Sequence, residues 1–277
     1  MKVENLPGTA GSNSPNNLAP QRPGTADSEA MLITEWADTL FLQYFVEPSE
    51  VQRQLPPGFD LELYDGQACV SLVAVTMKRF RPVLAWSPAS LLRLIPSQRF
   101  LNFRTYVRKG EETGAFFFWG WLSAPFGLGP PLGALGLSAS LATIDYRQDR
   151  EALSGEVIGK HGLRFQYEGS IESTPGLAFC PVGSLAESAL ERYTGFFCQG
   201  QQARKFRVGH PAWLQSKVRM GRVERGLVVA RFPWFEKARF VEANLGQGFN
   251  RVLISRPQRT RQPNRNSHRL TAFYKMP

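Results

Sequence analysis

The run Ala115-Phe116-Phe117-Phe118-Trp119-Gly120-Trp121 is apolar at every position. Side chains of a strand alternate between two faces, so such a run needs protein on both. The preceding run reads differently. In Leu101-Asn102-Phe103-Arg104-Thr105-Tyr106-Val107, one face carries Leu101, Phe103, Thr105 and Val107. The other carries Asn102, Arg104 and Tyr106, continuing to Arg108. Between the runs lies Lys109-Gly110-Glu111-Glu112-Thr113-Gly114, short, polar and with two glycines, which is hairpin chemistry. If the runs pair, the Arg104 face adjoins a strand covered on both sides. Arg104 is therefore expected to point into the interior of a closed or half-closed sheet.

The rest of the chain is mostly strand pattern. Thr39–Val46, Phe59–Tyr64 and Gln67–Met77 read as strands, the last two joined by the turn signal Asp65-Gly66. Further strands are expected around Ile144, Phe165–Ile171, Val218–Val223, Leu227–Phe232 and Val252–Ser255. Helices are expected over Pro48–Leu55, with Ser49 as cap, and over Ser184–Phe197, where Ser184 and Glu187 form a capping box. A helical turn within Ala89–Ile95 and a helix from about Pro131 through Leu137 complete the expectation. Many short strands with few helices define a mainly β fold, an antiparallel sheet curled into a barrel or cone. A barrel of this kind commonly encloses a ligand-sized cavity, onto which Asn102, Arg104 and Tyr106 would open.

Residues 1–30 are rich in Pro, Gly, Ser and Asn and are expected to be a disordered N-terminal extension. Met31, directly before the first apolar run, is a candidate translation start. Residues 31–255 would form the single barrel or cone domain, and 256–277 a basic C-terminal segment. The net charge is +10, and residues 251–277 hold seven Lys and Arg and no acid. That stretch lacks a helical period, so a solvated segment is expected there rather than a nucleic-acid-binding arm. No apolar run approaches the ~18–20 residues of a membrane span, and the first thirty residues lack the apolar core of a signal peptide. Cys69, Cys180 and Cys198 are odd in number and far apart, which reads as buried free thiols in a reducing, cytoplasmic compartment. His161, His210 and His268 have no Cys or His at zinc-site spacing, so neither metal nor other cofactor is expected.

Trp36, the run LFLQYFVEPSEVQRQLPPGFDLELYDGQACVSLVAVTM (40–77), LNFRTYVR (101–108), ERYTGFF (191–197) and GHPAW (209–213) occur in this order. Together they resemble the YqjF-like family of uncharacterised bacterial proteins, itself similar to acetoacetate decarboxylase. The resemblance covers about residues 31–235 and implies a β-rich cone of the acetoacetate decarboxylase-like type around an internal pocket. The decarboxylase forms a Schiff base on a lysine whose pKa is lowered by its neighbours. Where that lysine would fall, this chain reads GPPLGALGLSASLA (129–142), without a lysine. An arginine that helps the decarboxylase hold its substrate would fall near Phe45, and none is there.

Arg104 offers a fixed charge and a planar fork suited to an oxyanion, with Asn102 and Tyr106 beside it. An arginine paired with a buried acid, or one on an open sheet face, is the equal alternative at this point. His210, in GHPAW, can act as a general acid or base near neutral pH, although a turn residue with a satisfied hydrogen bond is the preferred reading. Lys78 is expected at the solvated end of its strand. Trp119 would line a ligand pocket or fill the wall. The reading is a binder of a small anionic or partly apolar molecule through Arg104, Asn102, Tyr106, His210 and Trp119, with a homo-oligomer allowed. The alternatives are a lysine-independent lyase or hydrolase, and a structural or interaction protein with a packed barrel.

Overall fold

A computed structural model describes residues 29–37, 39–83, 97–123, 136–174 and 176–260. The helical turn expected within 89–95, residues 131–135 of the helix expected through Leu137, and most of both tails lie outside the described residues; Gly136 and Leu137 are not helical. In chain order the strands begin with β1 (Ala30–Trp36), β2 (Thr39–Val46), β3 (Asp60–Leu61), β4 (Leu63–Tyr64), β5 (Gln67–Pro82) and β6 (Ser97–Lys109). They continue with β7 (Glu112–Ser123), β8 (Ala139–Gln148), β9 (Ala152–Ile158), β10 (Arg164–Ile171), β11 (Ala178–Phe179) and β12 (Thr194–Gln199). The last are β13 (Gln202–Gly209), β14 (Leu214–Glu224), β15 (Arg239–Gly246), β16 (Phe249–Ser255) and β17 (Gln258–Arg259). Between them stand the short helices α1 (Pro48–Gln52), α2 (Leu185–Leu190) and α3 (Gly226–Arg231), with a 3-10 turn at Pro233–Lys237.

The strand pairing closes on itself twice. In the first circuit β1 pairs β5, and the pairing runs on through β6, β7, β12, β13 and β16 back to β1. The second circuit runs β2, β5, β6, β7, β8, β9, β10, β14, β15 and back to β2. β5, β6 and β7 belong to both and form the wall between them. β7 makes the branch by changing partner along its length. Ala115 and Phe116 lie beside Gly195 and Phe196 of β12, whereas Gly120–Ser123 lie beside Ala139–Ala142 of β8, both in parallel.

This double duty explains the run that is apolar at every position. On the side of the first circuit the wall presents Val73, Val75 and Met77, then Phe100, Asn102 and Arg104, then Ala115 and Phe117. On the other side Leu72, Ala74, Leu101, Phe103 and Trp121 belong to the main core, with Phe118 and Trp119 packed against it. Between the pairs Phe103–Trp119 and Arg104–Phe117 the register slips by one residue, a bulge at Phe118. Because of it Phe118 and Trp119 pack on the same side. α3 and the 3-10 turn plug one end of the second circuit with Leu227, Val228 and Phe235. The Phe235 ring meets those of Tyr44 and Phe103 at 5.0 and 4.9 Å. α2 closes over the first circuit, its Leu185, Ala189 and Leu190 packing with Phe41, Tyr106 and Trp213.

Several local expectations change. Leu227–Phe232 is helix α3, not a strand, since a short apolar run fits either period and here it serves as a plug. The helix expected over Ser184–Phe197 ends at Leu190, and Thr194–Gln199 is strand β12. Its capping signal is correct: Ser184 Oγ accepts from the Glu187 N–H at 3.1 Å, and Glu187 Oε2 accepts from the Gly183 N–H at 2.7 Å. In α1 the cap is Glu47, not Ser49, because Pro48 occupies the first helical position. Phe59–Tyr64 is two short strands, and the Asp65-Gly66 turn has both residues at positive φ, 49° and 75°. Gly114 is not a loop glycine. It lies within β7, where an added Cβ would stand 2.5 Å from the Thr194 carbonyl oxygen of β12. The three cysteines are free, but only Cys69 is fully buried.

Candidate functional site

The first circuit encloses a cavity of about 60 Å³. Its walls are apolar where β5, β7, β13 and β16 supply Val75, Met77, Phe117, Val208 and Ile254. Against them stand a few polar groups, Arg104 and Asn102 from β6, His210 and Trp213 from the turn after β13, and Trp36 from β1. Strand alternation puts Asn102 and Arg104 two positions apart on one face of β6, and closure of the circuit brings the distant Trp36 and Trp213 to them.

Arg104 is half-buried and donates from Nη2 to the carbonyl of Ala189 at 3.1 Å. That carbonyl belongs to the last turn of α2, where helical N–H partners run out. The rings of Phe41 and Tyr106 lie 5.4 and 5.7 Å from its guanidinium carbon. Neighbouring Arg192 is paired with Glu62 at 2.7 Å. Arg104 takes part in no ion pair among the described residues. The buried-acid alternative therefore has no partner among them.

Four polar atoms of cavity-lining residues are buried without a hydrogen-bond partner among the described residues: Arg104 Nε, Trp36 Nε1, Trp213 Nε1 and Asn102 Oδ1. The amide nitrogen of Asn102 donates to the Val73 carbonyl at 3.4 Å, which leaves its oxygen as the acceptor of the set. A buried polar group without a partner costs about 1–3 kcal/mol, and native interiors hold few. The four are three N–H donors and one acceptor, all on residues that line a single small cavity.

His210 is buried, and its Nδ1 lies 2.7 Å from the Pro211 carbonyl oxygen. A carbonyl only accepts, so Nδ1 carries the proton and Nε2 of the neutral ring is an acceptor. The rings of Tyr193, Phe249 and Trp213 surround it at 4.8, 5.1 and 5.2 Å. Burial pushes its pKa down to about 4; the Pro211 hydrogen bond opposes this and the charge of Arg104 adds to it. His210 is thus neutral at pH 7 and leaves the anion-binding charge of the cavity to the arginines.

The sequence candidates separate. Arg104, Asn102 and His210 come together at the cavity. Tyr106 does not line it. It lies behind, its hydroxyl hydrogen-bonded to Ser71 Oγ at 2.6 Å and its ring between Arg104 and Arg192. Burial raises the Tyr106 pKa, so the phenol stays protonated. Trp119 is not brought to the cavity. The bulge at Phe118 leaves it on the far side of the wall, with the Arg231 guanidinium 3.2 Å over its ring. Lys78 likewise opens onto the far side. Sequence reasoning missed Trp36 and Trp213 as donors, because nothing local couples β1 to the turn after β13. Among the described residues no three His, Cys, Asp or Glu side chains gather to hold a metal.

This architecture of joined strand circuits is the fold of acetoacetate decarboxylase-like proteins. The chain superimposes on an acetoacetate decarboxylase-like enzyme from Sphingomonas wittichii RW1 with a TM-score of 0.58 at 14% identity, over 90% of this chain and 100% of that one. Acetoacetate decarboxylase from Legionella pneumophila gives 0.59 at 13% identity, over 94% and 98%. The enduracididine biosynthesis enzyme MppR, in complex with a condensation product of pyruvate and imidazole 4-carboxaldehyde, gives 0.59 at 12%, over 91% and 98%. At these identities the likeness concerns the fold. Residues 34–238 match the DUF2071 family, described as an uncharacterized conserved protein, and the chain belongs to that family. It is also similar to the uncharacterized protein YqjF of Bacillus subtilis (strain 168), 33% identical over 86 residues. That match spans 30% of this chain and a third of the YqjF length.

Proposed function

We propose that this chain binds a small organic monoacid in the inner cavity, with the carboxylate on Arg104 and the short apolar body against Val75, Met77 and Phe117. One observation carries the reading: a guanidinium without an ion pair among the described residues, its Nε–H unpartnered, in a mainly apolar cavity. The volume supports the size class. About 60 Å³ corresponds to roughly four to six water-sized spheres, the space of a short acid rather than of a nucleotide or lipid. The Trp36 and Trp213 N–H groups and Asn102 offer hydrogen bonds to a second oxygen on the ligand. The names of two similar structures support the class as well, one an acetoacetate decarboxylase and one MppR complexed with pyruvate.

Binding of this kind does not use a Schiff-base lysine. The segment 129–142 has none, and no lysine is among the described residues that line the cavity. A lyase or hydrolase step on the bound acid is the second reading. Its acceptor would be His210, neutral with the proton on Nδ1 and so with a free lone pair on Nε2, a weak base because burial lowers its pKa to about 4. Thermal unfolding of the wild type and Arg104→Met against a panel of two- to five-carbon carboxylates and oxo acids tests the proposal. Stabilisation of the wild type alone is expected. Equal shifts in both proteins, or none in either, would leave Arg104 a brace for α2 and remove the basis for ligand binding.

A further inference from the structure

The shared wall serves a second cavity on its other side. Thr76 and Lys78 of β5 and Ser97 and Arg99 of β6 alternate with the inner-cavity residues and open into the end of the second circuit away from α3. The space there is about 340 Å³, within the range of about 300–1,000 Å³ typical of ligand pockets. Leu40, Ala74, Leu153 and Leu245 form an apolar floor, and β8 completes the rim with Tyr146 and Arg147.

The rim is basic. No Asp or Glu lines it among the described residues. Asp145, one position before Tyr146, is held by Arg99 at 3.4 Å and Arg147 at 2.8 Å. Among the described lining residues, Lys78, Arg99 and Arg147 set against Asp145 leave a charge of +2. Arg99 is fixed further by donating to the Ile144 carbonyl at 2.8 Å, and Lys78 is in no ion pair among the described residues. Tyr146 lines the cavity, and its hydroxyl is buried with no hydrogen-bond partner among them. Burial holds its pKa well above the usual phenol value, so it remains a donor.

We propose that this cavity is a second ligand site, taking an organic phosphate monoester with its phosphoryl group on Lys78, Arg99, Arg147 and the Tyr146 hydroxyl. The apolar floor would carry the organic part. A phosphoryl group brings about −1.5 to −2 charge and three acceptor oxygens at pH 7. These match a +2 rim with the hydroxyl donors Thr76, Ser97 and Tyr146, where a carboxylate offers one charge and two oxygens. The site shares no side chain with the inner cavity, so it stands or falls separately from the binding of an acid at Arg104.

Calorimetric titration of the full chain at low ionic strength with phenyl phosphate, inorganic phosphate and benzoate tests it. Phenyl phosphate should bind more tightly than either of the others. Lys78→Gln combined with Arg147→Gln changes two exposed side chains and should weaken it about tenfold, near 1.4 kcal/mol. Tyr146→Phe should weaken it severalfold while leaving the thermal unfolding midpoint close to wild type, and Arg104→Met should leave the affinity unchanged. The proposal is overturned if the wild type does not bind phenyl phosphate, if benzoate binds as tightly, if the double variant binds as well as wild type, or if Arg104→Met abolishes binding.

Discussion

His210 gives the inner cavity an acid-sensitive stability that can be worked out from its surroundings. Its pKa is about 4 in the folded chain, against 6.5 for an ordinary histidine. The folded value is the lower one, so the unfolded chain binds more protons in between. The stability contribution is complete above pH 6.5 and is lost as pH falls toward 4. At pH 5 the unfolded histidine is almost fully protonated and the folded one hardly at all, so linkage gives a loss of about 2 kcal/mol. Below pH 4 the loss levels off near 3 kcal/mol. Carboxylates titrate in the same range, and a difference measurement removes them. Urea unfolding at pH 7.5 and pH 5 should show the wild type losing about 2 kcal/mol more than His210→Asn, whose amide retains a donor toward the Pro211 carbonyl. An equal loss in both proteins would mean that His210 is not buried as a neutral ring, and the assignment of Nε2 as the base would go with it.

Phe103→Ala, which empties a fully buried site among Phe118, Phe232, Trp234 and Phe235, should cost about 3–5 kcal/mol in urea unfolding. Gly114→Ala forces a methyl against the Thr194 carbonyl; a loss of about 1–3 kcal/mol is expected, with weaker stabilisation by small acids because the β7–β12 seam closes the first circuit. Arg192→Met leaves the part-buried Glu62 carboxylate without its cation and should cost about 1–3 kcal/mol, read by the same denaturant titration. Ser184→Ala removes the cap of α2 and should cost about 1 kcal/mol.

The central wall was legible because its pattern is local. Alternation in 101–107 places Arg104 and Asn102 on one face, and an apolar run with no polar face requires cover on both sides. What covers it was not legible. β7 meets β12 and β8 through contacts between segments far apart in the chain, and no short pattern announces a strand that serves two circuits. The same limit hid Trp36 and Trp213, which become neighbours of Arg104 only when β16 returns to β1. Which side of the wall Trp119 takes was not legible for a different reason: strict alternation has no means of showing the bulge at Phe118. The pattern of Thr194–Phe197 passes for helix because the capping signal at Ser184 continues smoothly into ERYTGFF. In the fold, Phe196 and Phe197 are wanted on opposite faces of a strand. Leu227–Phe232 failed in the reverse direction, since a short run of Leu and Val suits a buried strand and a buried helical plug equally.

The most direct test of acid binding at Arg104 is nitrogen–proton NMR of arginine side chains in the intact protein, with the Arg104 Nε–H signal assigned by its absence in Arg104→Lys. Titration with short monocarboxylates should move that signal saturably, together with the indole N–H signals of Trp36 and Trp213, while the Arg192 signal moves little. An Arg104 signal that stays in place at saturating acid, or moves only as far as those of exposed arginines, would contradict the account.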